Sequence, residues 1–184
     1  MSQAIETEVK FRCDDLPALR ERLAALGAVV ALPRHLERNT LFDDSDQSLA
    51  RRGMLLRLRS ALDTVITLKA PAPHGASDAQ HKTRVEIETE VSDYDAAFSI
   101  LTALGYTPVW RYEKYRESFR LEDVSVALDH TPIGDFVEIE GPAPAIRPAA
   151  GQLGFDWTER SLKTYRELFA EAGGVQQGNM TFDG

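Results

Sequence analysis

A chain of 184 residues, 43% hydrophobic and 27% charged, has the size and composition of one well-cored globular domain. Its net charge of -8 argues against a nucleic acid or an anionic membrane surface as the main partner, since both require a positive face, yet it allows a small anion in a local cationic pocket. The single cysteine, Cys13, excludes an intrachain disulfide and a thiolate metal site, so any metal must be held by oxygen or imidazole.

The N-terminus MSQAIETE lacks the basic-then-apolar pattern of a signal peptide, and no apolar run approaches the ~20 residues of a membrane span; a cytoplasmic location is expected. Residues 5 to 11, IETEVKF, have the period of a strand that puts Glu6, Glu8 and Lys10 on one face and Ile5, Thr7, Val9 and Phe11 on the other. The next segment, DDLPALRERLAALGA, is predicted to be a helix, with an Asp cap, Pro17 in its first turn, leucines at 16, 19, 23 and 26 on one stripe, and Gly27 as its stop. Strands are predicted over LERNTLFDD, GMLLRLRS and TVITLKA, with a short helical turn in SDQSLARRG before the second of them. Residues 70 to 82, APAPHGASDAQHK, read as a long polar loop.

The strand TRVEIETEV leads to a second helix, SDYDAAFSILTALGY, which stops at Gly105. Gly27 and Gly105 lie 78 residues apart, and at that offset Glu8 meets Glu86 and Arg38 meets Arg116, which suggests two related halves. Strands follow in EKYRESFRL, VSVALDH and FVEIEG. A third amphipathic helix is expected after Thr158, with Leu162, Tyr165, Leu168 and Phe169 on its apolar side. Residues 1 to 172 are read as one domain and 173 to 184 as a frayed tail.

The charge alternation of the first strand recurs. Arg57 and Arg59 share a face, Lys69 follows Val65 and Thr67, Arg84, Glu86 and Glu88 alternate with Val85 and Ile87, Lys114 pairs with Arg116, Glu138 with Glu140, and Asp129 ends VSVALD. An ordinary half-solvated sheet explains any one of these strands. The set is different, because the opposite faces are apolar enough to pack under amphipathic helices. If helices cover the outside, the charged faces turn toward one another and the sheet curls into a closed barrel with a polar lumen. The predicted fold is therefore α+β, an antiparallel barrel with helices packed outside. Charges buried in such a lumen cost several kcal/mol per ion unless paired, and ligands supply partners. Lysine and arginine suit phosphate oxygens, while carboxylates in ExE pairs suit Mg²⁺ or Mn²⁺.

The ExExK signature of Glu6, Glu8 and Lys10, followed in order by LRLR, TLK, TRVEIE, EKYR, ALDHTPIGDFVEIEG and SLKTYRELF, resembles the CYTH family of triphosphate tunnel metalloenzymes, in particular its class IV adenylyl cyclase branch. The resemblance spans about residues 4 to 170. It implies an eight-stranded antiparallel tunnel in which basic side chains bind a triphosphate and glutamates hold Mg²⁺ or Mn²⁺. Carried over by position, Lys10, Arg57, Arg59, Lys69, Arg84, Lys114 and Arg116 contact phosphates, and Glu6, Glu8, Asp129, Glu138 and Glu140 hold metal. Glu86 and Glu88 match acidic positions of variable role, and Arg57 or Arg116 could instead pair with them across the lumen. The chain departs from the family at Asn39 and Leu41, where relatives often carry Asp and Tyr.

Two reactions share this clamp. Water attack on the terminal phosphorus, with Glu88 or Glu140 as general base and Lys10 stabilising developing charge, makes a triphosphatase acting on tripolyphosphate, ATP or thiamine triphosphate. Attack by the 3′-hydroxyl of ATP makes an adenylyl cyclase. Hydrolysis is favoured, because no residue set in the sequence secures adenine; a non-catalytic polyphosphate or nucleotide binding module is the third reading. Self-association into a homodimer is compatible with the sequence. His35, His74, His81 and His130 lack metal-ligand spacing and are assigned to the surface, and Trp110 and Trp157 to packing.

Overall fold

The strand read at the N-terminus forms as β1 (Gln3–Arg12), and the chain continues through α1 (Leu16–Ala25), β2 (Val29–Asp43), α2 (Ser48–Arg51), β3 (Leu55–Ser60), β4 (Thr64–Pro71) and β5 (Lys82–Val91). The second half supplies α3 (Tyr94–Ala103), β6 (Thr107–Leu121), β7 (Val124–Thr131), β8 (Gly134–Glu140), α4 (Ala143–Leu153) and α5 (Tyr165–Glu171). In this computed structural model, which describes residues 3–73, 79–174 and 178–182, the strands close into a barrel in the order β1-β5-β4-β3-β2-β6-β7-β8. Every neighbouring pair is antiparallel.

Directly opposed residues in an antiparallel ladder share a face, so register decides what fills the lumen. Glu8 lies opposite Lys82 on β5 and Glu140 on β8, Lys10 opposite Glu138, and Lys69 opposite Glu86. Across the other wall, Arg59 meets Asn39, Lys114 meets Glu37, and Arg116 meets Asp129. Charged row thus abuts charged row, and the apolar rows turn outward under the helices.

Two outer clusters result. α1 and α4 cover one side, where Leu23 and Ile146 pack on Val9, Val126, Val137 and Ile139; α2 and α3 cover the other, where Leu49 and Leu101 pack on Phe42 and Leu58. Each such fully buried side chain contributes about 1.5–3 kcal/mol. A third cluster closes one end of the barrel. It joins Leu41, Trp110 and Phe136 of the strands to Tyr165 and Leu168 of α5 and to Met180.

Helix α1 is capped at Asp15, which accepts from Ala18 N at 2.9 Å, and helix α3 at Asp93, which accepts from Ala96 N at 2.8 Å, one residue past the cap that capping-box spacing of Ser92 and Asp95 would give. Both stop at a glycine of positive φ, Gly27 and Gly105. The two halves also interleave, since β1 pairs with β5 and β2 with β6. The suggested match of Arg38 to Arg116 fails, because Arg38 faces outward toward Glu113 while Arg116 lies in the lumen.

Three elements differ from expectation. Helix α4 was not read from the sequence, because prolines at 142, 144 and 148 mask it; it forms with a proline at its start and carries Pro148 inside, held by the burial of Ile146, Ala149, Ala150 and Leu153. The third predicted helix starts at Tyr165 rather than near Thr158, because Thr164 and Glu167 make a reciprocal capping box there. The expected frayed tail is docked at residues 178–182: Met180 is buried, bonds through N–H to Arg111 O and through O to Glu113 N–H, and lets Gly178 O accept from Trp110 Nε1. Within the 70–82 loop, residues 74–78 and with them His74 lie outside the described residues.

Candidate active site

The lumen rows of every strand but β7 deliver side chains to one cavity of about 320 Å³. Lys10, from β1, is buried with its Nζ 2.8 Å from Glu8 and 3.2 Å from Glu138. Arg116 and Lys114, two positions apart on β6, both reach Asp129, with Arg116 Nε at 2.7 Å and Lys114 Nζ at 3.0 Å; Arg116 also bonds Glu138 at 2.5 Å. Asp129 is fully buried and takes a further hydrogen bond from Tyr165 Oη at 2.6 Å. Its oxygens are occupied as the anchor of this cationic wall.

On the facing wall Lys69 sits 2.6 Å from Glu6 and 3.3 Å from Glu86. Arg57 bonds Thr67 at 3.1 Å and Glu88 at 3.3 Å, and Thr67 Oγ1 donates to Glu88 at 2.6 Å. Pairing of Arg57 with Glu88 is therefore present, whereas Arg116 is held by Asp129 and Glu138. Arg59 is 3.6 Å from Glu37.

Electrostatics follow from this crowding. Burial alone would raise the carboxyl of Glu8, but Lys10 and Lys82 hold it below the ordinary range; Glu138, enclosed by Arg116, Lys10 and Lys114, is likewise held well below that range against its desolvation. Glu37 also resists its burial and is brought to about 2 by Lys114, Arg116 and the two arginines of β3. Glu140 behaves oppositely. It stands exposed at the mouth, yet partial desolvation and the negative charges of Glu6 and Glu8 push its carboxyl up to about 7. Among the described residues it forms no ion pair, while every other acid of the site has a cation within reach.

Most of the expected site residues converge here: Glu6, Glu8, Lys10, Arg57, Arg59, Lys69, Glu86, Glu88, Lys114, Arg116, Glu138 and Glu140 all line the cavity, with Asp129 directly behind. Arg84 does not line it, because its Nη1 turns to Gly53 O at 2.5 Å. In its place Lys82, two residues earlier on the same face, enters the cavity and bonds Glu8 at 2.6 Å. Lys82 was hidden by its assignment to the loop, although the period-two row of β5 includes it. Glu37 was missed although it lies within the predicted strand LERNTLFDD, and Tyr112 and Tyr165 because their aromatic character reads as core. Of the histidines expected at the surface, His81 is buried and His35 is half-buried. His35 Nε2 lies 3.5 Å from Glu37, and His81 packs 5.5 Å from the ring of Trp157. His130 is surface-placed, bonded to Asp135 and stacked on Phe182. Trp110 and Trp157 pack, the latter beside Phe11.

Among the described residues, no three carboxylate, imidazole or thiolate groups already stand in a coordinating arrangement. The donor set nevertheless fits a hard divalent cation: Glu6, Glu8 and Glu140 supply only oxygens, and their mutual repulsion is expressed in the raised Glu140 carboxyl. Lys69 and Lys82 hold Glu6 and Glu8, so a cation at these glutamates would have to exchange with the two lysines.

A family model for the CYTH domain matches residues 4–149. The chain is 32% identical over 177 residues to the adenylate cyclase CyaB of Aeromonas hydrophila, covering 89% of this chain and 87% of that one. An X-ray structure from Vibrio parahaemolyticus superposes with a TM-score of 0.81 at 19% identity, covering 92% of this chain and 99% of that chain. The Hippeastrum protein HpAC1, described as having a dominant triphosphatase activity, superposes with a TM-score of 0.63 at 15% identity over 95% of this chain and 97% of its own.

Proposed function

The chain belongs to the CYTH domain family, and from that premise we propose that it is an enzyme that grips a triphosphate in its tunnel and hydrolyses it with the help of Mg²⁺ or Mn²⁺. The observation that carries this reading is the gathering of Lys10, Arg57, Arg59, Lys69, Lys82, Lys114 and Arg116 around one cavity, each able to exchange an internal carboxylate for a phosphate oxygen. Arginine forks and lysine ammonium groups bind a polyphosphate chain at several points and neutralise charge that builds on the departing oxygens. For phosphoryl transfer, such positioning and electrostatics supply most of the catalysis.

Glu6 and Glu8 would hold the metal, with Glu138 behind them; once bound, the ion would screen the phosphate oxygens and acidify water. Lys10 and Arg116 lie on either side of Glu138 and would fix the phosphate nearest it. The proton of the attacking water needs an acceptor that is free to take it. Glu88 is engaged by Thr67 and Arg57, whereas Glu140 has no cation partner among the described residues and stands at the mouth, so Glu140 is the acceptor favoured by this geometry. In that step water oxygen bonds the terminal phosphorus, the bridging P–O bond breaks, and the bridging oxygen leaves with the diphosphate.

A second reading is carried by likeness to an adenylate cyclase: the same clamp on ATP, with the 3′-hydroxyl attacking the α-phosphorus and pyrophosphate leaving. A product assay separates the two. Purified protein with Mg²⁺ or Mn²⁺ is given tripolyphosphate, ATP and thiamine triphosphate, and orthophosphate is resolved from cyclic AMP with pyrophosphate. Orthophosphate is the expected product. Cyclic AMP selects the second reading, and no turnover with either metal overturns both in favour of a binding module.

A further inference from the structure

Among the described residues that line the tunnel, the exposed ionisable side chains are Glu88 and Glu140 from the barrel and Arg166 from α5. Every other cation of the lining is buried or half-buried and has a carboxylate partner. Arg166 differs in both respects. It is exposed, and among the described residues it has no ion pair and no hydrogen bond. A residue that both lines the cavity and meets solvent also marks an opening, so the tunnel can be entered beside the start of α5.

The local sequence keeps this guanidinium free. One turn further along α5 stand Phe169 and Ala170, which offer no carboxylate. The adjacent Glu167 is occupied by the capping box, accepting from Thr164 N at 2.6 Å and Thr164 Oγ1 at 2.7 Å. Glu171 is paired with Lys163. The helix itself is fastened by the Tyr165–Asp129 hydrogen bond and by burial of Leu168, so Arg166 is a long, unpaired side chain on an anchored backbone.

A polyanion approaching this protein meets a net charge of -8 and, at the cavity, the exposed Glu88 and Glu140. The internal cations pull on it weakly at a distance, because each is already neutralised by a carboxylate that must first give way. Arg166 has no partner to displace, and its planar fork can take two oxygens of one phosphate. A charge at the rim of a binding site acts chiefly on the rate of association and on its salt dependence.

Resting on the triphosphate-clamp reading above, we propose that Arg166 is the capture residue of the tunnel, which takes a phosphate group of the incoming polyanion at the rim and sets its rate of entry before the internal cations change partners. The role precedes the chemical step and is distinct from it. In the sequence Arg166 falls on the polar side of the third predicted helix and reads as solvent-facing; only the docking of α5 across the barrel end brings it to the cavity.

The probe is tripolyphosphate. Its association is followed by stopped-flow fluorescence of Trp110, which lines the cavity, and its Kd by isothermal titration, in the native chain, Arg166→Gln and Arg166→Lys. Both are measured at about 0.01 M and about 0.15 M salt, between which the Debye length falls from about 30 Å to about 8 Å. At the lower salt Arg166→Gln is expected to reduce the association rate about ten-fold while changing the dissociation rate by less than about three-fold. The deficit should shrink at the higher salt, Arg166→Lys should keep most of the native rate, and both variants should melt with the native chain, since an exposed, unpaired side chain is removed. An association rate in Arg166→Gln equal to the native one at the lower salt, a deficit that salt leaves unchanged, or a loss confined to dissociation overturns the proposal and leaves the clamp intact. Failure of the native chain to bind tripolyphosphate in the titration overturns the clamp reading itself, and this inference with it.

Discussion

Tyr165 Oη donates to Asp129 Oδ2 at 2.6 Å, so helix α5, which closes the end of the barrel, is bonded to the acid that anchors Lys114 and Arg116. The same ring lies 5.4 Å from Lys10 Nζ and 5.0 Å from Lys114 Nζ, within reach of cation–π attraction. Tyr165→Phe keeps the ring and removes the bond. A hydrogen bond to a charged acceptor is worth about 1.5–3 kcal/mol. The variant should lose roughly that much in denaturant melts and show a raised KM for triphosphate, because Asp129 no longer holds Lys114 and Arg116 in one place. Unchanged stability together with unchanged KM would remove α5 from the site.

Lys10 neutralises two buried acids at once, Glu8 and Glu138. Breaking a buried pair by deleting one partner costs about 3–5 kcal/mol. Lys10→Ala and Glu138→Ala are both expected to fold less stably and to lose turnover by at least about a hundred-fold, in line with the loss of a preorganised charge-stabilising group. Circular dichroism would verify the fold, and near-normal turnover in both variants would discard the site.

The resting tunnel is neutralised from within, so polyanion and divalent cation should help each other. Tripolyphosphate draws on lysines that Glu6 and Glu8 now hold, and the freed glutamates gain a use for Mg²⁺. A ligand at a hundred times its Kd stabilises by about 2.7 kcal/mol. The melting temperature should rise more with both additives than with the sum of each alone, and chelation of the metal should abolish turnover. Strict additivity would argue against exchange of partners.

The pH dependence of stability has a definite sign at Glu37. Its carboxyl is brought from 4.5 to about 2 on folding, so between these values the unfolded chain holds the extra proton and stability rises with pH. The contribution is complete above about pH 4.5 and fades as pH falls toward 2, and a shift of this size corresponds to at most about 3 kcal/mol. Urea melts of native and Glu37→Gln protein should differ at pH 6 and converge as the pH is lowered through this window. A constant difference from pH 6 to pH 3 would exclude the linkage.

Met180 fills a slot in the end cluster and adds a strand-like bridge to Tyr112. Truncation before Gly178 should cost about 2–5 kcal/mol, the usual range for removing a buried large side chain. Thermal melts check it, and an unaltered midpoint would restore the reading of these residues as a dispensable tail.

Period-two alternation made the barrel legible, because each charged row on β1, β5 and β8 is strictly spaced and its opposite face is largely apolar; on β6 the outward face is itself charged, with Glu113 and Glu117 pairing to Arg38 and Arg20. The same logic located most of the cavity wall before any pairing was known. What escaped it depended on contacts between distant segments. Lys82 and Arg84 occupy one row, and only the reach of Arg84 to Gly53 decides which of them enters the lumen. Helix α4 contradicts local preference and exists because its small and aliphatic residues are buried against β1, β7 and β8. Arg166 reaches the cavity on α5, outside every strand row, so no alternation includes it.

Pairing of β8 with β1 joins residues 134–140 to residues 8–12, and this seam sets an order of events. A ribosome exposes β1 long before β8, so Lys10 spends that interval without Glu138, and Tyr165 arrives later still to fasten Asp129. Contacts so far apart in sequence form slowly, because loop closure must precede their reward. The cluster of Lys10, Glu138 and Asp129 is therefore completed only when the last strand docks on the first, and a ligand bound among these groups would stitch the seam from inside.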